Sequence, residues 1–256
     1  MPELPEVETI VRGLAPRLLD RRIEQVELRQ PRVLIGDVGR AAGFTVTALR
    51  RWGKYIVLDL RRNSAQAHLV VHLGMTGQLV WNGAAGKHTH AILRFQGGRL
   101  LYNDIRQFGR LEFAQRLPQR LAELGPDALE VSRAEFVTRL RTRRAMVKAL
   151  LLDQSFLRGM GNIYADEALF RARIHPRAIA SRLSPARADD LYRAVVGVLR
   201  EAIRHRGSSV SDYVASDGRR GRFQFRHKVY RKTGQPCPAC GAAIRRLLVA
   251  SRGSHF

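Results

Sequence analysis

Short apolar runs separated by clusters of glycine, asparagine and arginine fill residues 23–113. The clearest runs are Tyr55-Ile56-Val57-Leu58, His68-Leu69-Val70-Val71-His72-Leu73 and Ala91-Ile92-Leu93-Arg94-Phe95. Runs of this length at this spacing predict short β-strands that form a sandwich or a barrel. Strands do not alternate with helices here and no G-x-G-x-x-G sequence occurs, so we expect neither a nucleotide-binding α/β domain nor a nucleotide cofactor.

Helical periodicity flanks the β-rich region on both sides. Apolar residues repeat at helical spacing from Val7 to Leu14, which predicts a helix over residues 6–19. Residues 117–126 contain two prolines and a glycine and are interpreted as a linker. Beyond them we predict four helices: one capped by Ser132, one through residues 146–152, one from Asn162, and one from Pro185 to Gly207. The chain is therefore expected to have a β-rich domain followed by a helical one.

The balance of charge indicates the kind of partner. Lysine and arginine total 45 against 22 acidic residues, which gives a formal net charge of +23. Such a surplus favours binding to a polyanion, although a basic surface without a partner stays an alternative. The longest apolar runs are far shorter than the ~20 residues that span a bilayer. The acidic N-terminus has no signal-peptide pattern. We therefore expect a cytoplasmic protein that does not bind membranes.

The first residues offer a reactive group. If Met1 is removed, the chain begins with Pro2, whose nitrogen is then a free secondary amine, followed directly by the carboxylate of Glu3. A nucleophile beside an acid is suited to covalent catalysis. Taken alone, Pro2 is also an ordinary residue to follow an initiator methionine.

Six short motifs stand out in chain order. They are Pro2-Glu3-Leu4-Pro5-Glu6-Val7-Glu8, Trp52-Gly53-Lys54-Tyr55, His72-Leu73-Gly74-Met75-Thr76-Gly77, Asp104-Ile105-Arg106-Gln107-Phe108-Gly109, Gly159-Met160-Gly161-Asn162-Ile163-Tyr164-Ala165-Asp166-Glu167 and Gly234-Gln235-Pro236-Cys237-Pro238-Ala239-Cys240-Gly241. Together they resemble the motifs of the bacterial formamidopyrimidine-DNA glycosylases. The sister family, the endonuclease VIII enzymes, typically has glycine where Leu4 stands, so the resemblance favours the first family.

The resemblance implies an α+β fold with a β-sandwich domain, a helix–two-turn–helix domain and a zinc-finger β-hairpin that is incomplete here. We accordingly expect a catalytic domain over residues 1–116, a linker over 117–126, a DNA-binding domain with a loop that closes over the lesion over 127–222, and the hairpin over 223–256. The implied activity is excision of oxidised purines from damaged double-stranded DNA, with cleavage of the strand by a monomer. The loop that closes over the lesion corresponds to residues 217–225, whose glycines suit a mobile lid.

The resemblance also assigns roles to single residues. Pro2 is implied as the nucleophile, Glu3 as the general acid and base, and Lys54 as a phosphate contact that assists the chemistry. The implied DNA contacts are His72, Met75, His88, Arg106, Phe108, Lys148, Asn162, Tyr230 and Arg252. Among them Met75, Arg106 and Phe108 fill the void left by an extruded nucleotide and contact the opposite base. Arg106 and Phe108 alternate around Gln107, so an extended loop would point both the same way. Without the resemblance, Met75 and Phe108 would be assigned to the core.

The cysteine content departs from the family pattern. Cys237 and Cys240 are the only cysteines, and a C-x-x-C pair in a reducing compartment indicates a metal or redox site, or no site at all. Structural zinc requires four ligands, and the resemblance implies a second such pair. Even with His255 as a third candidate the set is short, so we expect weak or absent zinc binding. Arg252 depends on the same hairpin.

Two other functions stay open at this point. One is the pyrimidine-directed activity of the endonuclease VIII enzymes. The other is a non-catalytic protein of the same fold that binds damaged DNA.

Overall fold

The structure is a computed structural model that describes residues 1–256, which divide into two compact units. One unit comprises residues 1–122 and 205–224, and the other comprises residues 123–204 and 225–256. The segment 205–224 thus returns to the N-terminal unit, whereas the expected boundaries placed it with the helical domain. It does so because its residues are buried there: Tyr213 and Ser216 are 6% and 3% exposed, and the backbone N–H of Trp81 donates to the carbonyl oxygen of Ser216 at 2.8 Å.

Two β-sheets form the N-terminal unit, as the pattern of short strands predicts. The strands are β1 (Ile23–Leu28), β2 (Leu34–Ile35), β3 (Thr45–Trp52), β4 (Tyr55–Arg62), β5 (Ala65–His72), β6 (Gly77–Trp81), β7 (Thr89–Phe95), β8 (Gly98–Asp104) and β9 (Arg110–Ala114). One sheet has the order β1-β7-β8-β6 and the other has the order β2-β9-β5-β4-β3. All pairs are antiparallel except β2 with β9. Apolar residues of both sheets share one core, so the sandwich is confirmed.

Helix α1 (Leu4–Leu18) contributes Val7, Ile10 and Leu14 to the same core. It begins two residues earlier than the periodicity predicts because Glu3 caps it. The Glu3 side chain accepts a hydrogen bond from the backbone of Glu6, and the Glu6 side chain accepts one from the backbone N–H of Glu3 at 2.7 Å. This reciprocal capping box satisfies two N–H groups that the first turn of a helix otherwise leaves free. It places Pro2 immediately before the helix.

The predicted linker is partly folded, which corrects the sequence interpretation. Helix α2 (Gln119–Ala122) lies within it. Leu121 packs against Val57 and Val70, on the face of the five-stranded sheet that points away from the main core. The indole N–H of Trp52 donates to the carbonyl oxygen of Leu121 at 2.7 Å. A single buried leucine thus fixes a segment that its two prolines and its glycine had led us to interpret as a linker.

The second unit contains four helices and a β-hairpin. They are α3 (Arg133–Arg141), α4 (Val147–Leu152), α5 (Asn162–Arg171), α6 (Pro185–Arg204), β10 (Arg246–Val249) and β11 (Arg252–His255). The predicted cap is confirmed, since Ser132 Oγ accepts a hydrogen bond from the backbone N–H of Glu135 at 3.1 Å. Helix α6 buries the predicted apolar face, which includes Leu191, Val195 and Leu199. None of the six helices has the length and apolarity needed to cross a membrane.

Candidate functional site

The N-terminus of the first unit is enclosed rather than loose. Pro2 is buried and Glu3 is 3% exposed, whereas Met1 is 45% exposed. Because burial begins at Pro2, removal of Met1 would leave a secondary amine already held beside the Glu3 carboxylate at the start of α1.

Glu6 connects this terminus to the segment 205–224. One carboxylate oxygen of Glu6 accepts from the backbone N–H of Glu3, and the other accepts from the N–H of Ser208 at 2.7 Å. Gly207 packs so closely that a Cβ there would lie 2.6 Å from Glu6 Oε1. Tyr213 donates its hydroxyl to the carbonyl oxygen of Glu6 at 3.4 Å. Burial, and then the charge of Glu6, raises the pKa of Tyr213, so its hydroxyl stays protonated and can donate.

Sequence reasoning missed the roles of Glu6, Ser208 and Tyr213. The sequence indicates Gly207 only as the end of a helix. Its positive φ of 75° and its contact with Glu6 give it a second function. The available signal was the pair of carboxylates at positions 3 and 6, which have capping-box spacing.

A second group lies where β3, β4 and β5 meet. Lys54 is 9% exposed and follows Gly53, whose φ is 61° in the turn between β3 and β4. His72 pairs with Tyr55 across β4 and β5, and their ring centroids are 4.8 Å apart. Burial, and then the charges of Lys54, Arg120 and Arg110, lowers the pKa of His72 to about 4. His72 is therefore neutral at pH 7 in a strongly positive environment, which is suited to contact with a phosphate.

This shift predicts a pH dependence of stability. The pKa of His72 is about 4 in the folded protein and about 6.5 in an unfolded chain, so between these pH values the unfolded state binds more protons. The free energy of unfolding therefore falls as pH decreases from about 6.5 to about 4, by up to about 3 kcal/mol for this residue. His72→Gln is expected to lose less stability than the wild type between pH 7 and pH 4.5, measured by urea unfolding at both. The pKa of His227 is also lowered, but His227 is present in both proteins and contributes equally to each. Equal losses of stability in the two proteins would therefore contradict the lowered pKa of His72.

Two loops present the residues expected to enter a duplex. Met75 is 40% exposed and Phe108 is 54% exposed. The guanidinium carbon of Arg106 lies 4.7 Å from the centroid of the Phe108 ring. The loop is not extended, as the sequence interpretation assumed, because Gln107 adopts a left-handed conformation with φ 57°. The two side chains meet nonetheless, through a cation–π contact. His88, in the turn before β7, is half-buried.

In the second unit, Lys148 occupies a different place from the one expected. It is fully buried and its ammonium group donates to Asp166 Oδ1 at 2.5 Å and to the carbonyl oxygen of Gly253 at 3.0 Å. Asn162 Nδ2 donates to the same carbonyl oxygen at 3.0 Å. The other oxygen of Asp166 accepts from both the backbone N–H and Nδ1 of His255. Lys148 and Asp166 therefore hold β11, on which Arg252 is exposed.

A neighbouring carboxylate orders the segment that contains Tyr230. Glu167 is fully buried, and it accepts from the backbone N–H groups of Lys228, Val229 and Tyr230 at 2.9–3.0 Å. The Tyr230 ring lies 5.3 Å from that of His255, between centroids. Asp166 and Glu167 thus position the segments that carry Arg252 and Tyr230, two of the expected DNA contacts. The motif that contains both carboxylates did not reveal this role.

The buried pair predicts a large effect on stability. Asp166→Ala would remove the carboxylate that pairs with the buried Lys148 ammonium group, and breaking a buried ion pair in this way typically costs about 3–5 kcal/mol. The matched control is Glu201→Ala, which removes a more accessible carboxylate bound to Arg171 and Arg226 and should cost about 1 kcal/mol or less. Urea unfolding of the two variants gives the comparison. Equal losses of stability would contradict a buried pair that anchors the hairpin.

The residues present do not complete a zinc site. Cys237 is half-buried and Cys240 is exposed, and no group of three or more histidine, cysteine or acidic side chains is arranged to hold a metal. His255, the third candidate ligand, is bonded to Asp166 instead. Two thiolates are half of the tetrahedral set that structural zinc requires.

Comparisons with known proteins agree over the full chain. The family model of the formamidopyrimidine-DNA glycosylase N-terminal domain matches residues 1–111, and that of the H2TH domain of the same enzymes matches residues 124–214. The formamidopyrimidine-DNA glycosylases of Solibacter usitatus and Desulforamulus reducens are 51% and 42% identical, over 100% of this chain and 97% of each relative.

Solved structures give the same result. The MutM (Fpg) protein of Thermus thermophilus has a TM-score of 0.90 at 42% identity and covers 100% of this chain and 97% of its own. Lactococcus lactis Fpg, in complex with DNA that contains an abasic site, has a TM-score of 0.89 at 34% identity, over 99% of this chain and 97% of its own. The chain therefore belongs to the formamidopyrimidine-DNA glycosylase family.

Proposed function

We propose that this glycosylase removes oxidised purines from duplex DNA and then cleaves the strand through a covalent intermediate on Pro2. The observation that carries the proposal is the buried position of Pro2 beside Glu3 at the capped start of α1. A terminal amine and a carboxylate held in fixed positions supply the nucleophile and the proton donor that such a reaction needs.

The amine is a better nucleophile than a lysine at neutral pH. A terminal α-amino group has a pKa of about 8 against about 10.4 for lysine, so roughly a tenth of it is unprotonated at pH 7. It attacks C1′ of the damaged nucleotide, a C1′–N bond forms, and the base departs with the electrons of the glycosidic bond. The nitrogen is cationic after this attack, and it gives its N–H proton to the departing base and so regains its lone pair. The ring oxygen then takes a proton from Glu3, the C1′–O bond breaks, and the nitrogen lone pair forms an iminium.

Proline suits the next steps for a chemical reason. Its iminium has no N–H and cannot lose a proton to become a neutral imine, so it remains an electron sink. Loss of a C2′ proton then expels the 3′ phosphate, and a second elimination expels the 5′ phosphate. Water hydrolyses the last intermediate and restores the amine. Lys54 and neutral His72 are suited to hold the phosphates next to the lesion during these steps.

The exposed loop residues supply the other requirement, which is access to the base. A nucleotide extruded from a duplex leaves a gap that must be filled. Met75 and Phe108 are large exposed apolar side chains on two loops, and Arg106 carries donors that can bind the orphaned base. We infer that these three enter the duplex while Asn162, Tyr230 and Arg252 bind the backbone.

The relatives support damaged DNA as the class of substrate. A mutant of Lactococcus lactis Fpg has been solved with DNA that contains Fapy-dG, and Lactococcus lactis Fpg has been solved with abasic-site DNA and with DNA that contains an oxidised pyrimidine. By extension, damaged duplex DNA is the proposed partner of this chain, which would act as a monomer on chromosomal DNA in the cytoplasm.

Excision rates on two duplexes test the proposal, one with 8-oxoguanine opposite cytosine and one with thymine glycol opposite adenine. Faster excision of 8-oxoguanine, followed by strand cleavage, is expected. Preference for thymine glycol would indicate the endonuclease VIII type of activity instead. Tight binding to both duplexes without turnover would indicate a non-catalytic binding protein.

A further inference from the structure

Asp104, at the end of β8, is a buried carboxylate that the proposed mechanism does not use. It is fully buried, and both of its carboxylate oxygens accept hydrogen bonds. Oδ1 accepts from the hydroxyl of Thr76 at 2.5 Å, and Oδ2 accepts from the backbone N–H of Gly109 at 2.7 Å. Thr76 follows Met75, and Gly109 follows Phe108. One carboxylate therefore holds the ends of both loops that are proposed to enter the duplex.

The hydroxyl of Thr76 extends this connection. While it donates to Asp104, it accepts from the backbone N–H of Arg106 at 2.9 Å. The position of Arg106 is thus fixed through Thr76, which belongs to the other loop. A charged acceptor strengthens a hydrogen bond, and burial strengthens it further.

The backbones of the two loops also touch. Gly74 has φ 56°, and a Cβ there would lie 2.5 Å from the backbone nitrogen of Gly109 and 2.6 Å from the carbonyl carbon of Phe108. A Cβ on Gly109 would lie 2.3 Å from the hydroxyl oxygen of Tyr102. Two glycines therefore allow an approach that no other residue permits, and the loops pack as one body.

The backbone of Asp104 binds a third segment. Its N–H donates to the carbonyl oxygen of His88 at 3.0 Å. Its carbonyl oxygen lies 2.7 Å from His90 Nε2, which must carry the proton because a carbonyl can only accept. His88 is an expected DNA contact. The N–H and both carboxylate oxygens of Asp104 are therefore bonded to segments with a proposed role on DNA, and its carbonyl oxygen is bonded to β7, the strand that follows His88.

We propose that Asp104 is a positioning residue that makes Met75, Arg106 and Phe108 enter the duplex as one rigid unit. It thereby sets how well the enzyme distinguishes cytosine from adenine opposite the lesion. This inference rests on the proposed function. Its physical basis is that Arg106 can read a base edge only if its backbone is fixed relative to the side chains that fill the gap.

Two pairs of variants separate hydrogen bonding from bulk. Thr76→Val keeps the shape of the side chain but removes the hydroxyl that joins Asp104 to Arg106, whereas Thr76→Ser retains that hydroxyl. Asp104→Leu removes both acceptors, whereas Asp104→Asn retains one and can donate to Thr76. The matched control is Asp59→Leu. Asp59 lies on β4, accepts hydrogen bonds from Arg50 and His68, and touches neither loop.

Two activities are measured for each variant under single turnover. One is excision of 8-oxoguanine from a duplex, with cytosine and with adenine opposite. The other is strand cleavage at an abasic site in single-stranded DNA, which has no opposite base and no gap to fill. Thr76→Val and Asp104→Leu are expected to slow duplex excision by roughly 30-fold, the factor that corresponds to one charge-assisted hydrogen bond.

In the same two variants, the ratio of the 8-oxoguanine excision rate opposite cytosine to the rate opposite adenine should fall towards one. Cleavage of the single strand should stay within about threefold of the wild type, as should both activities of Thr76→Ser and Asp59→Leu. A merely structural role would lower both activities together and leave the ratio unchanged, and that result would overturn the inference. If Asp104→Leu does not fold, the two Thr76 variants decide. A wild type that acts on neither substrate would refute the proposed function instead.

Discussion

One extra residue inserted between Met1 and Pro2 is expected to reduce strand cleavage by a factor on the order of 10³ or more, the range seen when a catalytic nucleophile is removed. The insertion turns the nitrogen of Pro2 into an amide nitrogen, whose lone pair is delocalised into the carbonyl group and no longer attacks carbon. The side chains of the site remain in place. Gel assays of 8-oxoguanine excision and of cleavage at an abasic site measure the loss.

The control for this variant is Pro2→Gly, which keeps a terminal amine. A glycine amine can form a Schiff base, but that imine can lose its N–H proton and become a weaker electron sink. Glycine also lacks the ring that fixes the backbone before α1. Pro2→Gly should therefore retain part of the cleavage that the insertion abolishes. Equal activity of the insertion variant and the wild type would rule out the terminal amine as nucleophile.

Glu3→Gln is expected to lower the rate of 8-oxoguanine excision by about 10²- to 10⁴-fold, the range for removal of a general acid. Glutamine can still accept the hydrogen bond that caps α1, so the free energy of unfolding should change by about 1 kcal/mol or less. Cleavage at a preformed abasic site should fall much less. An abasic sugar equilibrates with an open-chain aldehyde, which needs no protonation of the ring oxygen.

Glu8→Gln is the matched control for Glu3→Gln. Glu8 lies on the same helix and accepts from Arg12 and Arg51, so its variant loses a carboxylate of α1 without touching the terminus. Glu8→Gln should excise 8-oxoguanine at a rate within about threefold of the wild type, because ion pairs of this kind contribute little free energy. If Glu3→Gln and Glu8→Gln excise 8-oxoguanine equally well, Glu3 does not act as the acid.

The fold was predictable from sequence where local pattern decides it. Short apolar runs in β4 and β5 predict the sandwich, and Ser132 marks the start of α3 through local backbone chemistry. The folded part of the linker was not predictable in this way. Its helix α2 is stabilised by Leu121 packed on two strands far away in sequence, and a single leucine carries no periodicity.

The site follows the same division. Motifs identify Pro2, Met75 and Phe108, but the bonds that hold the N-terminus and the β-hairpin in place join distant residues. Glu6 and Ser208 are 202 positions apart, and His255 and Asp166 are 89 apart. Lys148 shows the consequence: the resemblance implies a DNA contact, whereas the structure pairs Lys148 with Asp166 in the interior. Burial of a charge depends on a partner that composition and spacing do not specify.

The most direct test is to trap the intermediate. The protein is incubated with duplex DNA that contains 8-oxoguanine opposite cytosine in the presence of borohydride, which reduces an iminium to a stable amine, and the cross-linked peptide is sequenced by mass spectrometry. The proposal predicts one adduct, on the nitrogen of Pro2, in a chain that lacks Met1. An adduct on a lysine such as Lys54, or no adduct while strands are cleaved, would contradict it.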